Sequence, residues 1–259
     1  MTNNEFFEKY SYSYNEPNSI SYYNGFDNSE LYKKNLIKNK NLLEKNNWID
    51  TQIIYSHNNY GFRTPDNFDI INPKDGNMFL GCSVTEGIGL HLEDTWAYKI
   101  NKKLGGCFYN LSQSGTGIET IYRLLKTWYP IIKPKNVFIM ALHKNRKEFI
   151  NKKKFNYDVF GPWLFDKKNK TSDKKIKEIF YEYFLISEDE TTIFWERNWD
   201  AIKSVAKEYN INLYKVNEEK CYDAKTESTN KDSWARDCAH YGTLFHNMIS
   251  DFDNWEKIK

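Results

Sequence analysis

Met78-Phe79-Leu80-Gly81-Cys82-Ser83 is a short apolar run that halts at a glycine and ends on a hydroxyl. Such a run suits a buried strand, and the glycine marks the point where the chain leaves the sheet for a polar turn. Working outward, alternation of strand and helix follows. Residues 93–104 carry Trp96, Ala97, Ile100 and Leu104 on one face at helical spacing. Residues 108–112 read as a second strand. Ile118, Ile121, Tyr122, Leu125, Trp128 and Tyr129 mark a second helix, expected to end at Pro130 and Pro134. Residues 137–142 are uninterrupted and apolar, as a strand covered on both faces should be. An amphipathic helix over 195–209, a strand over 211–216 and a polar loop to Asp237 come next. Leu244, Phe245, Met248, Ile249, Phe252 and Trp255 then trace a closing helix.

This order predicts an α/β fold: a three-layer α/β/α sandwich around a mostly parallel sheet. Residues 1–60, rich in Tyr, Asn and Ser, are expected as an N-terminal extension packed on the core, with a short helix over 31–43 and a strand over 48–55. Residues 61–259 form the α/β domain, interrupted after the third core strand by a charged, aromatic insertion at about 147–190. Phe155, Tyr157, Phe160, Trp163 and Phe165 supply that insertion with a small core of its own, or with rings bordering the sheet edge.

Composition narrows the function classes. Hydrophobic residues at 40% and aromatics at 17% are ample for one large core in 259 residues, which argues against wholesale disorder. Thirty-seven basic against 35 acidic residues leave a net charge of +2, with no global pull toward nucleic acid or an anionic membrane. Cys82, Cys107, Cys221 and Cys238 are scattered without a C-x-x-C pair, as in a reduced chain. The start, Met1-Thr2-Asn3-Asn4-Glu5, is polar and acidic with no signal-like segment, and no apolar stretch has bilayer-spanning length. The expectation is a cytoplasmic or assembly-associated protein.

In open parallel sheets ligands bind beyond the carboxyl ends of the strands. Ser83, Ser114-Gly115 and His143-Lys144-Asn145 each follow a predicted strand, so they should converge there. Ser83 needs a base to become a nucleophile. His240 can take and return its proton, and Asp237, three residues earlier, can hold the other imidazole nitrogen. The Ser83 N–H, the Gly115 N–H and the Asn145 side-chain amide are candidate oxyanion donors. Each position also has an ordinary structural role open to it: Ser83 and Asp237 as helix caps, His240 as a surface histidine, Gly115 as a turn glycine.

Other motifs fail on spacing. Gly81 to Gly87 lacks the Lys-Ser/Thr of a phosphate loop, and Gly87-Ile88-Gly89 has Leu92 where a dinucleotide fingerprint needs glycine. His240 and His246 lie six apart, off a shared helix face, so no metal site is expected. Cys82 is read as a buried neighbour of Ser83.

Phe79-Leu80-Gly81-Cys82-Ser83-Val84-Thr85-Glu86-Gly87, Asn110 to Gly115, and Asp237-Cys238-Ala239-His240 together resemble the sequence blocks of the SGNH (GDSL-type) hydrolase family. Tyr60-Gly61-Phe62-Arg63 resembles a lead-in seen in many members. The likeness covers roughly residues 60–145 and 234–250. Cys82 replaces the usual Asp beside the serine, and His143-Lys144-Asn145-Arg146 stands where Gly-x-Asn-Asp is usual. The resemblance implies a cofactor-free esterase with Ser83, Asp237 and His240 as triad, and Ser83, Gly115 and Asn145 as oxyanion hole. Its substrate would be a small acyl ester, such as an O-acetyl carbohydrate or a lipid ester. The competing readings are an SGNH-fold structural or binding protein with a vestigial site, associated with a larger assembly, and an O-acyltransferase using the same residues.

Overall fold

The structure, a computed structural model, describes residues 3–151, 156–165 and 188–258 and the single positions 178 and 182. Its centre is a five-stranded sheet built from β3 (Gly76–Gly81), β4 (Cys107–Asn110), β5 (Asn136–Met140), β8 (Leu213–Val216) and β9 (Trp255–Ile258). The spatial order is β4-β3-β5-β8-β9. The first four strands run parallel, and β9 closes one edge antiparallel to β8. Every residue of β3 is buried, because it has strand neighbours on both sides and helices over both faces. Asn77 is the polar exception, and it is satisfied. Its amide donates to the Asn101 side chain and the Gly105 carbonyl at 2.9 Å each, while its oxygen accepts from Asn136 at 2.8 Å.

Alternate residues feed two cores. Met78, Leu80, Val137, Ile139 and Leu213 face α6 (Ile118–Ile132) and α7 (Glu188–Tyr209), joined by Phe7 of α1 (Asn3–Tyr10). Phe79, Phe108, Phe138, Met140 and Val216 face α5 (Trp96–Leu104), α8 (Glu218–Asn230) and α9 (Thr243–Ile249). The result is an α/β sandwich, the coarse architecture expected. The chain runs from β3 out to the β4 edge, then returns past β3 to β5, so the strand order reverses at the carboxyl ends of β3 and β5.

Residues 1–60 are tied to this body by a third cluster. Leu43, Trp48, Ile53 and Tyr55 pack with Ile88, Leu90 and Ala235. The expected helix over 31–43 is two helices, α2 (Ser29–Lys38) and α3 (Lys40–Lys45), parted at Asn39. The expected strand over 48–55 shrinks to β2 (Tyr55–Ser56), paired with β1 (Ile20–Ser21).

Four other boundaries differ, each for a local reason. Thr95 caps α5, its hydroxyl accepting from the Tyr98 N–H at 3.3 Å, so the helix starts at Trp96 rather than at residue 93. Helix α6 runs two residues beyond Pro130, where only one backbone bond is lost so near the end. The supposed polar loop before Asp237 holds α8. Only Cys221, Ala224 and Ser228 of that helix are buried, too narrow a stripe to read as periodic, and Asn217 caps it at 2.9 Å. The closing helix stops at Ile249, and Trp255 belongs to β9.

Within the expected insertion, β6 (Lys147–Asn151) and β7 (Asn156–Phe160) form a hairpin, and α7 begins already at Glu188. Phe160 and Trp163 pack against the first core. Phe155 lies outside the described residues, as do the side chains of Tyr157 and Phe165.

Candidate active site

Ser83 opens α4 (Ser83–Glu86), a single turn that starts two residues after β3 ends. Gly81 makes that reversal feasible. A Cβ there would lie 2.1 Å from the Thr85 hydroxyl and 2.9 Å from the Met140 carbonyl, so only a bare backbone lets the helix fold down beside β5. Gly87 ends the turn at φ +83°, a left-handed conformation that favours glycine. Arg63, from the lead-in, then pins the exit. It is 1% exposed and donates to the carbonyls of Glu86, Gly87 and Leu90 at 3.1, 2.5 and 2.8 Å. Cys82 is buried among the apolar side chains of the second core.

His240 arrives from the loop between α8 and α9. Its Nε2 lies 2.8 Å from the Ser83 hydroxyl, and its Nδ1 lies 2.5 Å from Asp237 Oδ2. The other carboxylate oxygen accepts from the backbone N–H groups of Ala239 and His240, each at 3.0 Å. Asp237 is 2% exposed. Burial works against its charge, but the hydrogen bond and charge of His240 and those two N–H groups prevail and hold its pKa below the usual carboxylate value. Burial likewise opposes the imidazolium of His240, yet the bond to Asp237 and its charge raise the pKa above the ordinary 6.5. With Nδ1 protonated toward Asp237, Nε2 is left as an acceptor for the Ser83 O–H.

The loop carrying the acid is clasped by the N-terminal segment. Arg236 donates to both oxygens of Asp27, at 3.1 and 2.7 Å, and to the carbonyls of Thr51 and Tyr22 at 3.0 and 2.6 Å. Both partners of this ion pair are almost wholly buried. Tyr55 donates to the same carboxylate at 2.6 Å, and the Asn35 amide donates to the carbonyl of Asp237 itself at 2.9 Å.

Ser83 and His240 open on a cleft of about 740 Å³. Gly115 forms part of its wall at φ +79°, with the Trp163 ring 3.4 Å from where a Cβ would stand. The preceding peptide is held from two sides. Tyr14 donates its hydroxyl proton to the Ser114 carbonyl, and the Ser114 hydroxyl donates to buried Glu86 at 2.5 Å. Glu86 also accepts from Asn24 at 2.9 Å; burial raises its pKa, and the Ser114 bond offsets part of that. Because a trans peptide is planar, with C=O and N–H pointing oppositely, the Tyr14 bond orients the Gly115 N–H away from Tyr14.

Ser83, Asp237 and His240 are therefore brought together, and Gly115 shares their cleft. Asn145 is not: it sits in the turn between β5 and β6, and its neighbour Arg146 lines the cleft instead. Tyr14, Phe26 and Arg146 escaped the sequence reading, whereas Trp163, one of the insertion aromatics for which a place at the sheet edge is one of two alternatives, lines the cleft. Tyr14 and Phe26 belong to a stretch without periodicity, and nothing local marks them. Phe26, 56% exposed, stands edge-on to the His240 ring with centroids 6.4 Å apart. His246 is buried; burial lowers its pKa to about 3, and Nδ1 accepts from the Trp96 N–H at 3.0 Å. Among the described residues no group of His, Cys, Asp and Glu is arranged to hold a metal ion, and no helix is long and apolar enough to cross a membrane.

No family model matches the chain, and no curated protein matches it.

Proposed function

We propose that this chain is a serine-dependent ester hydrolase of SGNH type. The observation that carries the reading is the unbroken line from Asp237 through His240 to Ser83, with 2.5 and 2.8 Å separations, at the mouth of a ligand-sized cleft. As an ester carbonyl enters, His240 Nε2 takes the proton while Ser83 Oγ forms the new C–O bond. The carbonyl oxygen becomes an oxyanion, met by the N–H groups of Ser83 and Gly115. Each preorganised donor of this kind is typically worth about 2.7–4 kcal/mol. The ester C–O bond then breaks, and the departing alcohol leaves with the proton from His240. Water then gives a proton to His240 and bonds to the acyl carbon; the bond from that carbon to Ser83 Oγ breaks, Oγ takes the proton back from His240, and the acid leaves. Asp237 holds the imidazole and stabilises the imidazolium throughout.

Small acyl esters, O-acetyl carbohydrates or lipid esters suit this chemistry. Acyl transfer to a sugar or protein acceptor is the second reading, favoured by a cleft with room for an acceptor beside the acyl group. A fluorophosphonate probe tests the core of the proposal. Wild-type protein should become labelled at Ser83, and Ser83→Ala should not. Labelling that is absent in the wild type, or unchanged in the variant, would return the protein to the structural or binding class. Comparing ester cleavage with and without a sugar acceptor separates hydrolysis from transfer.

A further inference from the structure

Arg146 lines the same cleft as Ser83 and His240 and is the one permanently charged side chain among its lining residues. Its guanidinium lies over the Trp163 ring, 5.2 Å from the centroid, within the range of cation–π attraction. Its Nε and Nη1 are buried with no hydrogen-bond partner. Donors of an always-charged group are rarely left in that condition without a counter-ion.

Three of the described buried acids in the fold are committed elsewhere. Glu148 is bound to Arg123 at 2.7 Å, Asp237 to His240, and Glu86 to Ser114 and Asn24. Glu119 accepts from the Glu148 N–H through Oε1 while its Oε2 is buried without a partner, and burial raises its pKa to about 7, which weakens it as a counter-ion; no ion pair joins Arg146 to a described carboxylate. The uncompensated charge acts on its surroundings: it opposes protonation of both His143 and His240. The fold therefore holds a cation at the cleft wall and, among the described residues, supplies no anion for it.

We propose that Arg146 recognises an anionic oxygen group on the substrate, a carboxylate or phosphate carried by the ester's acyl or alcohol portion. The inference rests on the hydrolase reading of this cleft and narrows it to acidic esters. Guanidinium suits such groups because its planar donors match their oxygens in geometry and charge. Docking the anion would also place the ester carbonyl relative to Ser83, so the effect belongs mainly to KM.

Three ester pairs test it, each an acid beside its neutral alkyl ester: mono-4-nitrophenyl succinate, 4-nitrophenyl 3-phosphonopropanoate and 4-acetoxybenzoate. The first two place a carboxylate or a phosphonate on the acyl side, and the third places a carboxylate on the alcohol side. Wild-type protein should favour the acidic member of at least one pair by about tenfold in kcat/KM, the scale of a charge-assisted hydrogen bond. Arg146→Gln should erase that ratio, and Arg146→Lys should retain part of it. Equal rates within all three pairs would overturn the inference while leaving ester hydrolysis intact. Calorimetric binding of the same pairs to Ser83→Ala protein needs no turnover. Preference for the acid there, without hydrolysis by the wild type, keeps the anion site and removes the hydrolase. Equal binding of acid and neutral ester overturns the anion site whatever the rates.

Discussion

At the residue scale the proposed chemistry depends on one imidazole being neutral at the right pH. Asp237 raises the pKa of His240 above the ordinary 6.5, against the opposing pull of burial. Only neutral His240 can accept the Ser83 proton, so kcat/KM should fall with acidity through a limb centred above pH 6.5. Asp237→Asn should move that limb downward and cut the rate at least about a hundredfold, because the imidazole loses both its orientation and its counter-charge. A limb that stays in place in the variant would assign it to another group. The signs for stability run in opposite directions for the two partners. A raised His240 stabilises the folded chain fully below its ordinary value and ceases to do so as pH rises through the folded one. A lowered Asp237 contributes above its ordinary 3.8 and is lost on acidification.

Tyr14 acts one bond further out. Its hydroxyl fixes the Ser114–Gly115 peptide whose N–H is the proposed oxyanion donor. Tyr14→Phe should lower kcat by about fivefold, in line with the net value of one hydrogen bond, while KM changes little. Equal losses in kcat and in thermal stability, with KM rising, would mark Tyr14 as structural only.

At the element scale the site is carried by the turn after β3 and the loop after α8, joined by contacts from the N-terminal segment. Removing Asp27 would strand the Arg236 guanidinium in a dry interior. Asp27→Ala should therefore cost about 3–5 kcal/mol in urea unfolding, far more than an exposed ion pair would. A loss under about 1 kcal/mol would show that water reaches Arg236.

The elements were unequally legible in sequence. Strands β3 and β5 and helix α6 stood out because burial on one or both faces imposes an unbroken or periodic apolar pattern. Helix α8 was hidden because three small residues suffice to seat it, and β9 was hidden because its edge position leaves Glu256 and Lys257 exposed. Ser83, His240 and Asp237 could be found because their residue types and chain order carry the chemistry. Arg146 and Tyr14 could not, since their significance comes from what lies opposite them in space. Asn145 went the other way: its type and position fitted a role, but the turn leading into β6 presents its neighbour to the cleft.

Across the whole molecule, one indole links the first helix to the sheet. Trp128 of α6 is fully buried and meets Phe7, Tyr60, Phe62 and Phe68 at centroid distances of 4.8, 4.7, 5.9 and 5.4 Å. Its N–H donates to the Ser11 carbonyl at 2.9 Å. Trp128→Ala should cost about 3–5 kcal/mol, as large-to-small changes in aromatic cores do. Protease cleavage near Ser11 should appear before the sheet itself unfolds. Simultaneous loss of both would mean that the N-terminal segment and the sheet melt as one unit.

The clasp between Asp27 and Arg236 also sets a timetable for synthesis. Translation delivers Asp27 first and Arg236 only when 209 further residues have been added. A nascent chain halted anywhere before Arg236 carries Ser83 on a finished strand, yet has neither His240 nor a fastened leader. The proposed chemistry must therefore wait for the segment that brings Arg236, Asp237 and His240 to the strands already made.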